Sequence, residues 1–343
     1  EVRSNLIDTI ANYRKTKGRG IIASHMSEYA VFTRLGDGQL GGKARGLAFI
    51  DSVVNKHKIM HHWKNVVLTI PRTVVLTTDL FDEFMEEGNL YECALSNLPD
   101  EEILQRFIEA PTPSRMKGFV KDIVAFFKAP MAVRSSSLLE DSHYQPFAGV
   151  YSTYMIANNH PELSQRIRQL EQAIKSVYAS VFYRESKAYI AATSNVIDEE
   201  KMAVVIQEVC GRAYGKRFYP TVSGVARSVN FYPIEPEKYE DGIANIAFGL
   251  GKTIVDGGIS LRFCPQYPQK VLQLSNIEFA LRDSQKEFYS LNLEPESFHP
   301  DVNETINLLK LRIREISGDS SLKYVASTYD YHDQIIRDGL YED

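Results

Sequence analysis

The chain has 343 residues, 44% of them apolar and 24% charged, with a formal net charge of -5. That length is enough for two or three subdomains with substantial cores, in a composition ordinary for a globular protein. Without a basic run longer than two residues the composition argues against a nucleic-acid surface, and without 18 uninterrupted apolar residues it argues against a membrane span.

In chain order, residues 1–13 can form a short amphipathic helix through Val2, Leu6, Ile10 and Tyr13, and residues 15–20 read as a solvated linker. Residues 29–32 could form a short strand. Residues 36–46 then read GDGQLGGKARG, with Gly36, Gly38, Gly41 and Gly42 followed at once by Lys43 and Arg45. Behind them Leu47, Ile50 and Val54 recur at helical spacing, which predicts a helix over 44–55. Glycines let a backbone turn tightly and approach a ligand, and a helix opening behind them offers N–H groups to an anion. Two readings stand here: a phosphate site, or a glycine-rich turn before a surface helix.

Standard phosphate loops fail against this stretch. Gly36, Gly38 and Gly41 fit G-x-G-x-x-G, but no carboxylate stands about 20 residues on, where a dinucleotide site needs one. Lys43 is followed by Ala44, so the hydroxyl a P-loop offers to magnesium is missing. Later, Gly251-Lys252-Thr253 supplies G-K-T, but Ile246 sits where the opening glycine belongs.

Two short strands are predicted at 66–70 and 73–76, broken by Pro71 and Arg72. Thr77 or Thr78 can cap a helix over 80–87, with Phe81, Phe84 and Met85 as core residues. Further helices are expected at 101–110 and 119–127. Residues 131–154 are dense in chemistry, reading MAVRSSSLLEDSHYQPFAGVYSTY: a short buried strand over 131–133 delivers Arg134 and the hydroxyls of Ser135, Ser136 and Ser137 to an edge. A loop leads to Gly149, and an alternating strand runs to Ile156. Residues 161–191 carry the longest helical pattern. Strands are predicted at 202–209, 221–231 and 243–248, with 214–219 as a loop and a helix over 302–315 that buries Ile306, Leu309 and Ile313. Cys93, Cys210 and Cys264 are odd in number and widely spaced, which suggests reduced thiols of a cytoplasmic protein. No histidine lies at metal-ligand spacing from a thiol or carboxylate.

The ordered pair GGKARGLA and VRSSSLLED…FAGVYST resembles the nucleotide-binding (PEP/pyruvate-binding) domain of the phosphoenolpyruvate synthase and pyruvate phosphate dikinase family. Residues 202–209 (MAVVIQEV), Gly224-Val225-Ala226 and Phe248-Gly249-Leu250-Gly251 are similar to further segments of that family, so the likeness runs from about residue 35 to 258. It implies an α+β, ATP-grasp-like fold of two lobes. Residues 1–34 would be a helical or linker segment, 35–200 the first region, 201–258 an adenine-side lobe, and 259–343 a divergent helical extension.

The resemblance also implies ATP and Mg2+ as cofactors. Lys43 and Arg134 would neutralise the phosphates, with Gly41, Gly42, Ser135, Ser136 and Gly149 around them. Arg72 would stand at a strand entry, and the main chain of Gln207, Glu208 and Val209 would meet the adenine. Family members end the domain with a glutamate-bearing strand, an L-Q-x-R-P segment and, further on, a T-x-H carrier histidine. None is found here, and Lys252 replaces the acid that follows the G-L-G turn. The expectation is therefore a piece of a longer protein, silent by itself, whose carrier-histidine and acceptor-binding domains lie elsewhere. An ATP-grasp kinase for another acceptor and a non-catalytic nucleotide-binding module remain as alternatives.

Overall fold

The computed structural model describes residues 31–137, 151–191 and 201–340. They divide into two compact units, the first reaching Val209 and taking in Pro295–Asn307, the second comprising Cys210–Glu294 and residues from Leu308 onward. Both mix helices and strands, so the chain is α+β.

The first unit is built on a five-stranded mixed sheet of β1 (Phe32–Leu35), β2 (Thr73–Leu76), β3 (Met131–Ser137), β4 (Thr153–Ile156) and β5 (Met202–Glu208), in the order β1-β2-β5-β3-β4. Only the β1–β2 pair is parallel. β5 is apolar almost throughout because both of its faces are covered. On one face, Met202, Val204 and Ile206 join Val74, Leu76 and Val133 in the main core. On the other, Ala203 and Val205 join Val75, Phe32 and Ala44.

Helix α1 (Gly41–Lys56) covers this second face through Ala44 and Leu47. The first face is covered by α2 (Thr78–Glu87), α3 (Tyr91–Leu95), α4 (Asp100–Glu109), α5 (Ser114–Phe126) and α6 (Leu163–Ser180), which interlock through Phe81, Phe84, Phe107 and Tyr178. Phe81, Phe84 and Met85 are core residues as expected.

Several elements differ from the sequence reading. The strand ahead of the glycines is Phe32–Leu35, and residues 66–70 form no strand, with Val66, Val67 and Leu68 exposed. The 161–191 pattern breaks into α6 and α7 (Arg184–Ala191), because Phe182 and Tyr183 turn into the core and the Asp100 carboxylate accepts from the Arg184 N–H at 2.8 Å. Neither Thr77 nor Thr78 caps α2 with its side chain. Thr77 Oγ1 donates to Leu35 O, and Thr78 Oγ1 accepts from Gln39 N. β3 continues through all three serines, which pair with β5 alone, since β4 covers only Met131–Arg134 on the other side.

In the second unit, β6 (Arg212–Tyr214) and β7 (Arg217–Tyr219) make a hairpin where a loop was predicted; Gly215 at φ +59° supplies the two-residue turn. β8 (Ser223–Arg227), β9 (Ile243–Ala247) and β10 (Leu261–Phe263) form a three-stranded antiparallel sheet. After β9 come the short α8 (Lys252–Val255) and α9 (Ile277–Asp283).

β11 (Glu287–Asn292) pairs with β7 and with β12 (Leu308–Arg312). The helix expected over 302–315 is thus wrong: a short 3-10 turn at Glu304–Asn307 leads into β12, and Ile306 is 50% exposed. The open edge of β11 captures a segment whose short apolar pattern fits either period. β13 (Ser327–Asp330) and β14 (Ile335–Asp338) form a separate ribbon. Tyr219, Phe248 and Phe288 pack edge to face at 4.8–5.2 Å and anchor the unit.

Candidate functional site

The glycine-rich segment and the serine strand meet in the first unit. Lys43, in the first turn of α1, donates from Nζ to Ser135 Oγ at 3.1 Å, joining residues 92 positions apart. Ser136 Oγ accepts from the Ala44 N–H at 3.1 Å and donates to Leu40 O at 2.9 Å. Its hydroxyl therefore stands in for the N-cap side chain that Leu40 cannot supply. Gly41 has φ +69°, and a Cβ there would run into the Ser136 main chain. Gly42 is buried beside it. So Gly41 and Ser136 dock the helix start on β3, and Lys43 projects from that seam.

One strand register away lies the second cation. Arg134 stands opposite Val205 on β5, and its Nη1 is 3.5 Å from Gln207 Oε1. Gln207 Nε2 donates to Thr73 Oγ1 at 3.0 Å, which donates to Pro71 O at 2.8 Å. Arg72 stacks over the Phe126 ring, 4.7 Å from its centre, and its carbonyl accepts the Glu208 N–H at 2.9 Å. The Val209 N–H goes to Pro130 O at 2.9 Å. Both main-chain donors of the Glu208–Val209 stretch are thus used within the fold, which removes them as donors to a base. Gly149 lies outside the described residues.

The glycines at 36 and 38 serve a different purpose from Gly41. Asp79, at the start of α2, accepts from Gly38 N at 2.8 Å, from Asp37 N at 3.1 Å, and from Thr77 and Arg115 side chains. A Cβ on Gly36 or Gly38 would strike Thr77, Thr78 or Asp79. The glycine loop therefore already holds an anion of its own, the Asp79 carboxylate. Burial raises the pKa of Asp79, and the four hydrogen bonds outweigh this and bring it down to about 2. Arg34 Nη2 donates to Gly38 O at 2.9 Å from the other side. Sequence reasoning looked for a cap at Thr77 or Thr78 and missed this clamp; the signal was a Thr-Thr-Asp step directly after a buried strand.

Lys43, buried hydroxyls and a helix start gathered at one place suit a phosphate-bearing ligand, and Arg134 stands next in sequence on β3. Among the described residues no group of three or more His, Cys, Asp or Glu could hold a metal ion. Ile277 and Glu278, which superficially resemble the start of a glutamate strand, lie in α9. Lys252 pairs with Asp256 at 3.1 Å. Among the described residues no helix is long and apolar enough to cross a membrane.

Comparison with known proteins gives a family match over residues 37–269, described as pyruvate phosphate dikinase, AMP/ATP-binding domain. The chain is 24% identical over 265 residues to a phosphoenolpyruvate synthase of Aeropyrum pernix, covering 70% of this chain and 28% of that protein. It is 25% identical over 256 residues to a probable phosphoenolpyruvate synthase of Methanocaldococcus jannaschii, covering 64% and 19%. An uncharacterized phosphotransferase, YvkC, of Bacillus subtilis is 26% identical over 195 residues, covering 56% and 21%. The chain thus spans less than a third of the length of each of these relatives.

Proposed function

The chain belongs to the pyruvate phosphate dikinase AMP/ATP-binding domain family, and from that premise we propose that it is the ATP-binding part of a multidomain phosphotransferase of the phosphoenolpyruvate synthase type. The observation that carries the reading is the Lys43–Ser135 hydrogen bond, which brings the two family segments to one place, next in sequence to Arg134. Bound there, ATP would supply the phosphoryl group, to be passed to a carrier histidine outside this sequence.

In this reading Lys43 is a point charge for the phosphates and Arg134 a planar fork that grips two oxygens at once. The buried Ser135 orients the Lys43 ammonium. Arg72, held flat on Phe126, lines the strand entry through its carbonyl and keeps the end of β5 in place. With two N–H groups already spent, residues 207–209 are left to offer carbonyl oxygens, which suit the exocyclic amino group of adenine and not the carbonyl of guanine. The two lobes of an ATP-grasp fold would be drawn from the two units. Because the described residues hold no carboxylate set for magnesium, no step is assigned to it.

Calorimetry tests the reading. The 343-residue chain is expected to bind ATP, and Arg134→Ala to weaken binding about tenfold or more, since a charged hydrogen bond contributes about 1.5–3 kcal/mol. Equal affinities for the two proteins would remove Arg134 from the site. GTP competing as well as ATP would reject the assignment of residues 207–209.

A non-catalytic nucleotide-binding module is the second reading, favoured by one observation: the cation Lys252, paired with Asp256, where family members carry an acid. Turnover of ATP by a longer chain carrying the carrier histidine would exclude it.

A further inference from the structure

The second unit contains a cavity of about 810 Å³, well within the size range of small-molecule sites. None of its lining residues is among those assigned to the nucleotide. The β11–β12 hairpin forms much of its wall. Cross-strand pairing sets Glu287 opposite Arg312 and Tyr289 opposite Lys310, so these four side chains share one face of the ribbon. Lys286 and Arg314 both continue past the Glu287–Arg312 pair, so they extend the basic row at one end of the ribbon.

Charge decides what such a cavity would take. Four cations (Lys286, Lys310, Arg312 and Arg314) face two anions, Asp256 and Glu287, in the lining. Glu287 is paired with Lys310 at 2.9 Å, and Asp256 with Lys252 at 3.1 Å. Among the described residues Lys286, Arg312 and Arg314 make no side-chain ion pair within 4.0 Å. Ile259, Tyr289 and Ile313 give the cavity apolar wall between the charges.

We propose that this cavity is a second anion site that binds a phosphorylated small molecule. A phosphate ester carries about two negative charges near neutral pH, which suits a lining where three cations (Lys286, Arg312 and Arg314) are left over from ion pairing. A lone carboxylate would meet fewer of them. Arg312 and Arg314, one residue apart across the end of β12, can each present a planar fork to phosphate oxygens. The apolar wall would receive the organic part of the molecule. The site is independent of the nucleotide reading, because it needs neither Lys43 nor Arg134.

Methyl NMR of the 343-residue chain, labelled at isoleucine, tests the proposal with inorganic pyrophosphate as the probe and citrate as the carboxylate control. Pyrophosphate should shift the Ile259 and Ile313 methyls saturably, and citrate should do so at least tenfold more weakly. The double variant Arg312→Ala/Arg314→Ala should lose tenfold or more in pyrophosphate affinity at these methyls. Retention of the remaining isoleucine spectrum shows that the variant is folded, and Lys286→Ala, a change at an exposed side chain, should weaken binding in the same direction. Lys43→Ala should leave the Ile259 and Ile313 titration unchanged. Absence of a saturable shift, equal binding of citrate, or loss of the response in Lys43→Ala would each overturn the proposal. ATP binding lost in Arg134→Ala would still stand in any of these cases, so failure here is separable from failure of the nucleotide reading.

Discussion

A single carboxylate explains why a glycine-rich loop need not be a phosphate loop. Asp79 gathers two loop amides, a hydroxyl and a guanidinium, and its pKa is held near 2 instead of 3.8. A folded pKa below the unfolded one contributes stability that is fully present above about pH 4 and is lost as pH falls toward 2. Asp79→Asn should therefore lower stability at neutral pH by about 1–2 kcal/mol, the cost of weakening charged hydrogen bonds at a partly exposed site. It should also flatten the decline of the wild-type melting temperature between pH 4 and pH 2. Calorimetric melting across that range checks both, and parallel pH profiles would show that Asp79 is no clamp. Lys43 and Arg134 are the cations of the proposed nucleotide site, so their substitution should affect ATP binding far more than melting.

At the level of elements, the start of α1 depends on β3. Leu40 has no oxygen in its side chain, so the helix borrows the Ser136 hydroxyl from a strand nearly a hundred residues away. Ser136→Ala should cost about 1 kcal/mol, a typical cap loss. Gly41→Ala should cost more, because a Cβ meets the Ser136 backbone and the residue sits at φ +69°. Urea denaturation would rank the two, and Gly41→Ala proving the milder change would contradict this docking. The break between α6 and α7 follows the same logic: a capping carboxylate, Asp100, and two inward aromatic residues outweigh a helical pattern that runs on.

Taking the molecule as a whole, each unit has its own anchor. The first has the double-faced sheet with β5 at its centre. The second has the Tyr219–Phe248–Phe288 cluster and, attached to it, a buried carboxylate: Asp319 accepts from Tyr219 Oη at 2.5 Å and pairs with Arg217 at 2.7 Å. Removing one partner of such a buried network leaves the others uncompensated. Asp319→Ala should destabilise the second unit by about 2–4 kcal/mol. Hydrogen exchange is expected to speed up in β6, β7 and β11, while β2, β3 and β5 keep their protection. Uniform loss of protection over both sheets would mean that the two units do not have separate anchors.

The sequence by itself determined the family. GGKARGLA, VRSSS and MAVVIQEV are local strings whose residue types are set by what they touch, and a continuous apolar run such as β5 has few other solutions. It also determined the core of α2, since Phe81, Phe84 and Met85 repeat at helical spacing. The tertiary structure alone decided which glycines serve the fold: Gly36 and Gly38 close on α2 and Gly41 closes on Ser136, partners 40 to 95 residues away that no local pattern reveals. It alone decided that residues 308–312 are a strand, because the free edge of β11 supplied hydrogen bonds that helical spacing could not weigh. And it alone showed that the N–H groups of Glu208 and Val209 are spent on Arg72 and Pro130. Backbone donors carry no signature in the sequence, and their partners are settled only when the chain comes together.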